Sequence, residues 1–216
     1  MAKKLLTTPK GVAVYPHLSK PDTKFNKNGV YTVKLRLEGA EALAFAKQIS
    51  AVAKAKVEEL RAEKGAKKVK AADLPISKET DKDGAETGAL VFSFKMNATG
   101  KNKAGEVFTR QPAIFNAQGV PDKTMRIGGG STIRVSYELV PYDRVSTETK
   151  GMFLAGASLR LYAVQVIELV EFGGNAEYFG FESEEIEEES APATAAAKGA
   201  ADEDEEPAAG GSADEF

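Results

Sequence analysis

Hydrophobic and polar residues alternate along several stretches of this chain, which is the pattern of β-strands with one buried face. In residues 30–38, Tyr31, Val33 and Leu35 fall on one face, while Lys34 and Arg36 fall on the other. The same alternation predicts strands at residues 90–96, 132–140 and 158–172, and weaker strands at residues 11–15 and 107–115. On the inward faces, Phe92, Phe94 and Tyr137 are predicted to pack in the core. The chain is therefore predicted to be mainly β.

One stretch has the helical period instead. In residues 40–64 an apolar stripe recurs at Phe45, Ile49 and Leu60, with Gly39 before it and Gly65 after it. The next residues, 66–88, are polar and carry the turn signal Asp81-Lys82-Asp83-Gly84, so they are predicted to form a mobile loop. Five or six strands with one helix fit a five-stranded antiparallel OB-fold β-barrel capped by an α-helix, or a β-sandwich. Periodicity does not choose between these two folds.

Charge is divided unevenly along the chain. Residues 1–176 contain 28 Lys and Arg against 18 Asp and Glu, a net charge of +10, whereas residues 177–216 contain 1 Lys against 14 Asp and Glu, a net charge of −13. The acidic segment has too few apolar residues to offset the entropy of ordering it. We expect a folded basic domain at residues 1–176 and a disordered acidic tail at residues 177–216. Such asymmetry is typical of nucleic-acid-binding proteins with acidic tails.

The residue types that catalysis and metal binding need are nearly absent. The chain has no Cys and one His, His17, so neither a thiolate site nor a zinc site of the usual spacing can be assembled. Gly128-Gly129-Gly130-Ser131 lacks the Lys of a P-loop and leads into a predicted strand, which favours a tight bend over a phosphate site. No stretch approaches the roughly 18 apolar residues of a membrane span. We expect a cytosolic, non-enzymatic protein with no metal, no cofactor and no membrane contact.

Basic residues recur on the polar faces of the predicted strands. These candidates for contacts with phosphates are Lys34, Arg36, Lys95, Arg134 and Arg160. The outer face of any soluble barrel carries charge, but an ordinary solvated face mixes both signs more evenly than a net charge of +10. Candidate platforms for stacking unpaired bases lie at strand ends, in loops and on polar faces: Tyr15, Phe25, Phe108, Tyr142, Phe153 and Tyr162. Together they predict binding of single-stranded nucleic acid.

The tail ends in an aromatic residue after two groups of acids. Asp202, Glu203, Asp204, Glu205 and Glu206 are consecutive, and the chain finishes with Asp214, Glu215 and Phe216. A terminal ring has no structural role in a disordered segment. Unless it is a chance terminus, these eight residues are best interpreted as a docking signal for a partner protein. Because the carboxylates imitate phosphates, we also hypothesise that the tail occupies the nucleic-acid groove when DNA is absent.

Short motifs in a shared order identify a family. They are Met1-Ala2-Lys3-Lys4, Lys20-Pro21-Asp22, Gly29-Val30-Tyr31, Phe92-Ser93-Phe94-Lys95, Ile127-Gly128-Gly129-Gly130-Ser131, Leu139-Val140-Pro141-Tyr142, Gly156-Ala157-Ser158, Glu168-Leu169 and Phe172-Gly173-Gly174. With the acidic tail ending in Phe, this series resembles the single-stranded DNA-binding proteins of T7-like bacteriophages. The resemblance extends over most of the predicted domain.

The resemblance implies an OB-fold body, a homodimer, and sequence-independent coating of single-stranded DNA. It places this activity in phage DNA replication, recombination and repair, in the cytoplasm of the infected bacterial host. It also implies that the protein promotes strand annealing and that its tail recruits the phage DNA polymerase and helicase–primase. By position, Lys3, Lys95, Arg134 and Tyr142 correspond to DNA-contacting residues.

Two departures from the family pattern affect the predicted site. Arg144 stands where the family has a Trp, two residues after Tyr142, and the chain contains no Trp. Contact between Arg144 and a phosphate is expected to replace stacking there. Ser136 stands where a Lys is expected.

Two alternative functions stay open: an RNA-binding OB-fold chaperone, and a scaffold protein with a nucleic-acid-mimicking tail. Competition between DNA and RNA oligomers tests the first alternative, and salt-dependent oligonucleotide binding tests the second.

Overall fold

The alternating segments form strands in the computed structural model, which describes residues 5–24, 26–102, 104–147 and 149–171. Those residues contain one α-helix, α1 (Gly39–Lys64), and a 3-10 turn at Ala66–Lys68. The strands are β1 (Leu6–Thr7), β2 (Gly11–Asp22), β3 (Val30–Leu37), β4 (Val69–Ala71), β5 (Ile76–Thr80), β6 (Glu86–Asn97), β7 (Thr99–Lys101), β8 (Val107–Thr109), β9 (Ala113–Phe115), β10 (Thr132–Val145) and β11 (Phe153–Glu168). The protein is therefore mainly β with one helix.

Five long strands pair in a closed circuit. β2 pairs antiparallel with β3, and β3 pairs antiparallel with β6. β6 runs parallel to β11, β11 runs antiparallel to β10, and β10 returns to β2. The parallel contact between β6 and β11 is short: it pairs Phe94 with Leu159 and Lys95 with Arg160. This short contact creates the clefts described below.

The inward faces of the circuit form the core, and α1 packs against it. The side chains of Val33, Phe92 and Phe94 are completely buried, and the ring of Phe45 on α1 lies 4.6 Å from the ring of Phe92. Tyr137 on β10 lies edge-on to both Phe45 and Phe94 at 5.5 Å. Burial raises the pKa of the Tyr137 hydroxyl. The predicted core positions of Phe92, Phe94 and Tyr137 are confirmed.

The helix ends where the sequence predicts. Gly65 follows α1 with φ +93°, a conformation that residues with a Cβ rarely adopt, and its N–H donates to the carbonyl of Arg61 at 2.9 Å. At the other end, α1 begins at Gly39, one residue before the predicted start. Within the described ranges, no helix has the length and apolar content needed to cross a membrane.

The prediction of a mobile loop at residues 66–88 is wrong. This segment contains β4, β5 and the start of β6, and the predicted turn joins β5 to β6. Asp81 accepts hydrogen bonds on its carboxylate from the N–H groups of Asp83 and Ala85, at 2.9 and 2.8 Å. β4 is stabilised by pairing with β11, more than 80 residues later in the chain, which the local composition does not reveal.

The weak strand predicted at residues 107–115 is two strands. β8 pairs with β7 in a hairpin, whereas β9 runs parallel to β11. Pro112 lies in the break between them and has no N–H to donate to a ladder.

The predicted bend at residues 128–131 is confirmed, because the hydroxyl of Ser131 donates to the carbonyl of Gly128 at 2.9 Å immediately before β10.

Candidate nucleic-acid interface

Two clefts open along the line where β6 meets β11. The first, of about 420 Å³, has residues 73–77 as one wall and includes Ser93 and Tyr142. The second, of about 720 Å³, includes Arg110, Arg160 and Tyr162. Lys95, Ser158 and Leu159 line both clefts, so the clefts join at the two paired positions of the strands. We call this joined surface the seam groove.

The seam groove carries cations beside aromatic rings. Lys95, Arg110 and Arg160 are exposed there, and Tyr142 and Tyr162 are half-buried. The Tyr162 hydroxyl donates to the Glu138 carboxylate at 3.0 Å, and the Arg160 guanidinium lies 3.8 Å from the same carboxylate. Glu138 thus orients one ring and one cation, while the exposed guanidinium and the Lys95 ammonium are available to a phosphate.

A missing side chain makes room for the Tyr142 ring. Gly156 lies opposite Tyr142 in the β10–β11 ladder. A Cβ on Gly156 would meet the Tyr142 ring at 3.4 Å and the Cβ of Ala72 at 3.1 Å. Next to Tyr142, Asp143 pairs with Lys56 of α1 at 3.1 Å, which ties this part of β10 to the helix. The ring therefore lies over Gly156 at the edge of the first cleft.

Arg36, a predicted DNA contact, is engaged by two carboxylates. Its Nε lies 2.8 Å from both carboxylate oxygens of Glu79 on β5, and its guanidinium also pairs with Glu38. Hydrogen bonds from Thr87 and from Arg36 lower the pKa of Glu79. Arg36 therefore links β3 to β5, and we leave it out of the proposed DNA path.

Replacing Arg36 by Gln is expected to lower stability and to leave DNA binding unchanged. Because the folded state lowers the pKa of Glu79, the carboxylate contributes stability above its unfolded pKa and loses it as the pH falls through the folded value. The urea midpoint of Arg36→Gln should thus fall below that of the wild type at pH 7, and the difference should shrink in acid. Lys95→Gln is the matched control, because it also removes one positive charge but does so within the seam groove. A large loss of DNA affinity in Arg36→Gln alone would contradict this assignment.

The other predicted cations lie at different distances from the seam groove. Lys34 is exposed on β3 and pairs in register with Ser93, which lines the first cleft. Arg144 is exposed two residues beyond Tyr142. Arg134 lies eight residues before Tyr142 on β10, about 26 Å at the usual rise per residue. Its Nε is buried without a hydrogen-bond partner among the described residues.

Several predicted site residues lie outside the described residues or turn away from the groove. Lys3, Phe25 and all eight tail residues, Asp202, Glu203, Asp204, Glu205, Glu206, Asp214, Glu215 and Phe216, are outside the described ranges. Phe153, a predicted stacking platform, instead packs against the small core of Val57, Leu60, Val69 and Ala155. Its ring also has the Lys64 ammonium 5.8 Å from its centroid. We therefore remove Phe153 from the candidates.

Sequence reasoning missed one wall of the groove and one of its cations. Residues 73–77 were assigned to a loop, yet the carbonyl of Pro75 accepts the N–H of Ser93 at 2.9 Å and fixes this wall beside β6. The alternation of Leu74 and Ile76, which are both half-buried, was the available signal. Arg110 lies in the break between β8 and β9, where no periodicity marks a face.

In the part of the chain that the structure describes, no cluster of three or more His, Asp or Glu side chains is arranged to hold a metal ion.

Comparison with known proteins agrees with the resemblance in the sequence. Residues 10–169 match the family model described as single-stranded DNA-binding protein, bacteriophage T7. The single-stranded DNA-binding protein of Escherichia phage T7 is 30% identical over 214 residues, covering 86% of this chain and 84% of its own length. The protein of the same name from Enterobacteria phage T3 is 31% identical over 204 residues, covering 81% and 80%.

Solved structures match the fold. The crystal structure of gp2.5, a single-stranded DNA binding protein encoded by bacteriophage T7, aligns with a TM-score of 0.65 and 26% identity, covering 89% of this chain and 100% of that one. The single-stranded DNA-binding protein from bacteriophage Enc34 in complex with ssDNA aligns with a TM-score of 0.55 and 17% identity, covering 79% and 89%. At that identity the second match concerns the fold alone. The chain therefore belongs to the family of the bacteriophage T7 single-stranded DNA-binding protein.

Proposed function

We propose that the protein binds single-stranded DNA without sequence preference along the seam groove. The observation that carries this proposal is the junction of the two clefts at Lys95, with Arg160 paired to it across the seam and Tyr142 beside it. Cations that contact phosphates supply affinity for any sequence, because every nucleotide carries the same charge. Rings that stack on bases are also tolerant of sequence, because every base has a π-face.

The backbone supports an OB-fold barrel as the scaffold of this site. A closed circuit of five strands, with α1 packed against its core, fits that fold better than two separate sheets. In OB-folds the outer face of the central strands binds oligonucleotides. β3 and β6 would supply that face here, with Lys34, Ser93 and Lys95 on it.

The family supports a role in phage DNA replication in the infected host. We further propose recombination, repair and strand annealing as uses of the same activity. Annealing needs a protein that neutralises the charge of both strands without reading their bases, which a cationic sequence-tolerant groove provides. The protein has no catalytic step in this scheme, and it requires neither metal nor cofactor. A homodimer with the acidic tail exposed to the phage DNA polymerase and helicase–primase completes the proposal.

The test is a titration of the full chain with fluorescent oligodeoxythymidine over a series of salt concentrations. Three or four phosphate contacts predict a plot of log affinity against log salt with a slope of about −2 to −3. Oligomers of other base composition should bind with similar affinity. Binding that does not depend on salt would overturn the proposal, and stronger binding of a matched RNA oligomer would reassign the groove to RNA.

A further inference from the structure

Tyr15 is held on β2 in a conformation that is costly for its side chain. Its φ is +47°, and among the described residues no other non-glycine has a positive φ. The β2–β3 ladder pairs Val14 with Lys34 and then His17 with Thr32. Tyr15 and Pro16 therefore form a bulge opposite a single residue of β3.

Burial of the ring does not compensate for this strain. Tyr15 is 74% exposed, the most exposed of the large hydrophobic residues that the structure describes. The Lys34 ammonium lies 5.8 Å from the centroid of the ring, close enough for a cation–π contact. A strained residue with an open ring and a cation beside it is an arrangement that residues in ligand contacts often adopt.

The bulge lies on the same outer surface as the seam groove. Lys34 pairs with Ser93, and Ser93 lines the first cleft together with Lys95 and Tyr142. Neighbouring strands are about 4.8 Å apart, so Lys34 and Tyr15 follow Ser93 within about 10 Å. A DNA strand that leaves the first cleft across β6 would meet the Lys34 ammonium and then the Tyr15 ring.

We propose that Tyr15 and Lys34 form a further contact site for single-stranded DNA at the end of the path that crosses β6. The base stacks on the ring face opposite Lys34, and Lys34 binds the adjoining phosphate. The site rests on the proposed function, since it extends the same groove. The bulge turns the ring outward. In a regular strand, Tyr15 would instead share the inward face with the buried Ala13, because side chains two residues apart point the same way.

The experiment measures binding of the full chain to fluorescent oligodeoxythymidine. Tyr15→Gly removes the ring and relieves the positive φ, so it should fold as stably as the wild type yet bind about tenfold more weakly. Tyr15→Phe should retain most of the affinity, because it keeps the ring. Lys34→Ala should lower the affinity and make the slope of log affinity against log salt less negative. Lys54 is an exposed lysine on α1, and Lys54→Ala should change neither quantity. An oligomer carrying 5-iodouracil should crosslink to Tyr15.

The outcomes separate this site from the proposed function. If Tyr15→Gly binds as tightly as the wild type while Lys95→Ala loses affinity, the site is overturned and the groove is retained. If Tyr15→Phe loses as much affinity as Tyr15→Gly, stacking is excluded and the site is again overturned. If the wild type shows no salt-dependent binding, both proposals fail.

Discussion

Replacing Lys95 and Tyr142 together by Ala should weaken binding to single-stranded DNA by about a hundredfold, the equivalent of about 3 kcal/mol. Lys95 lines both clefts and lies in register with Arg160, so its ammonium is available to the strand at the point where the clefts join. Tyr142 supplies the ring at the edge of the first cleft. Fluorescence anisotropy over a range of salt concentrations measures both effects. The slope of log affinity against log salt should become less negative by about the contribution of one phosphate contact.

Single variants and a distant control make this result specific. Tyr142→Phe retains the ring and should retain most of the affinity, while Arg36→Gln removes a cation that Glu79 already engages. Thermal unfolding of each variant shows whether it is folded at the temperature of the titration. If the double variant binds within about threefold of the wild type, the seam groove is not the DNA site, since a lost stack alone is worth more.

Removing residues 202–216 should tighten DNA binding by about tenfold or more at low salt and abolish binding to the phage DNA polymerase. The segment contains seven Asp and Glu residues and ends in Phe216. If its carboxylates compete with phosphates for the cations of the groove, their loss frees those cations. The difference should shrink as salt is raised, because screening weakens tail and DNA contacts together. Fluorescence anisotropy measures the DNA affinity, and surface plasmon resonance with immobilised polymerase measures the binding of the tail to the polymerase.

Two full-length variants separate charge from length in the tail. In one, the seven acids are replaced by Asn and Gln, which keeps the length and removes the charge. It should bind DNA as the truncated chain does. In the other, Phe216→Ala keeps the charge, and it should lose polymerase binding while DNA affinity stays near that of the wild type. Weaker DNA binding by the truncated chain would exclude competition between tail and DNA.

The parts of the fold that the sequence predicted are those with long, regular patterns. β3 alternates without interruption, so its buried and exposed residues were assigned correctly, including the exposed Lys34. α1 has an apolar stripe over many turns and a glycine at its end, and its predicted bounds differ by one residue from those observed. In both cases the signal is local, because each residue's burial follows from the period of its own segment.

Short strands escaped prediction because distant partners stabilise them. β4 has three residues, of which Val69 alone is buried, and it exists because β11 pairs with it. β5 has no alternation of its own, yet it pairs with β6 and places Glu79 on Arg36. A local pattern shows neither partner. The same limit explains why the sequence predicted that Arg36 contacts phosphates, since it does not show the Glu79 carboxylate beside it.

By itself, the sequence determined the long strands, the helix, the division of charge and the family, since period, composition and motif order are properties of the linear chain. Tertiary structure alone decided that β6 and β11 meet at just two residue pairs, that Lys95 therefore joins two clefts, and that Tyr15 is turned outward by a bulge. The physical reason is that a groove depends on which strands become neighbours and where their pairing stops. Those contacts join residues far apart in the chain, and their energies depend on every strand being in place.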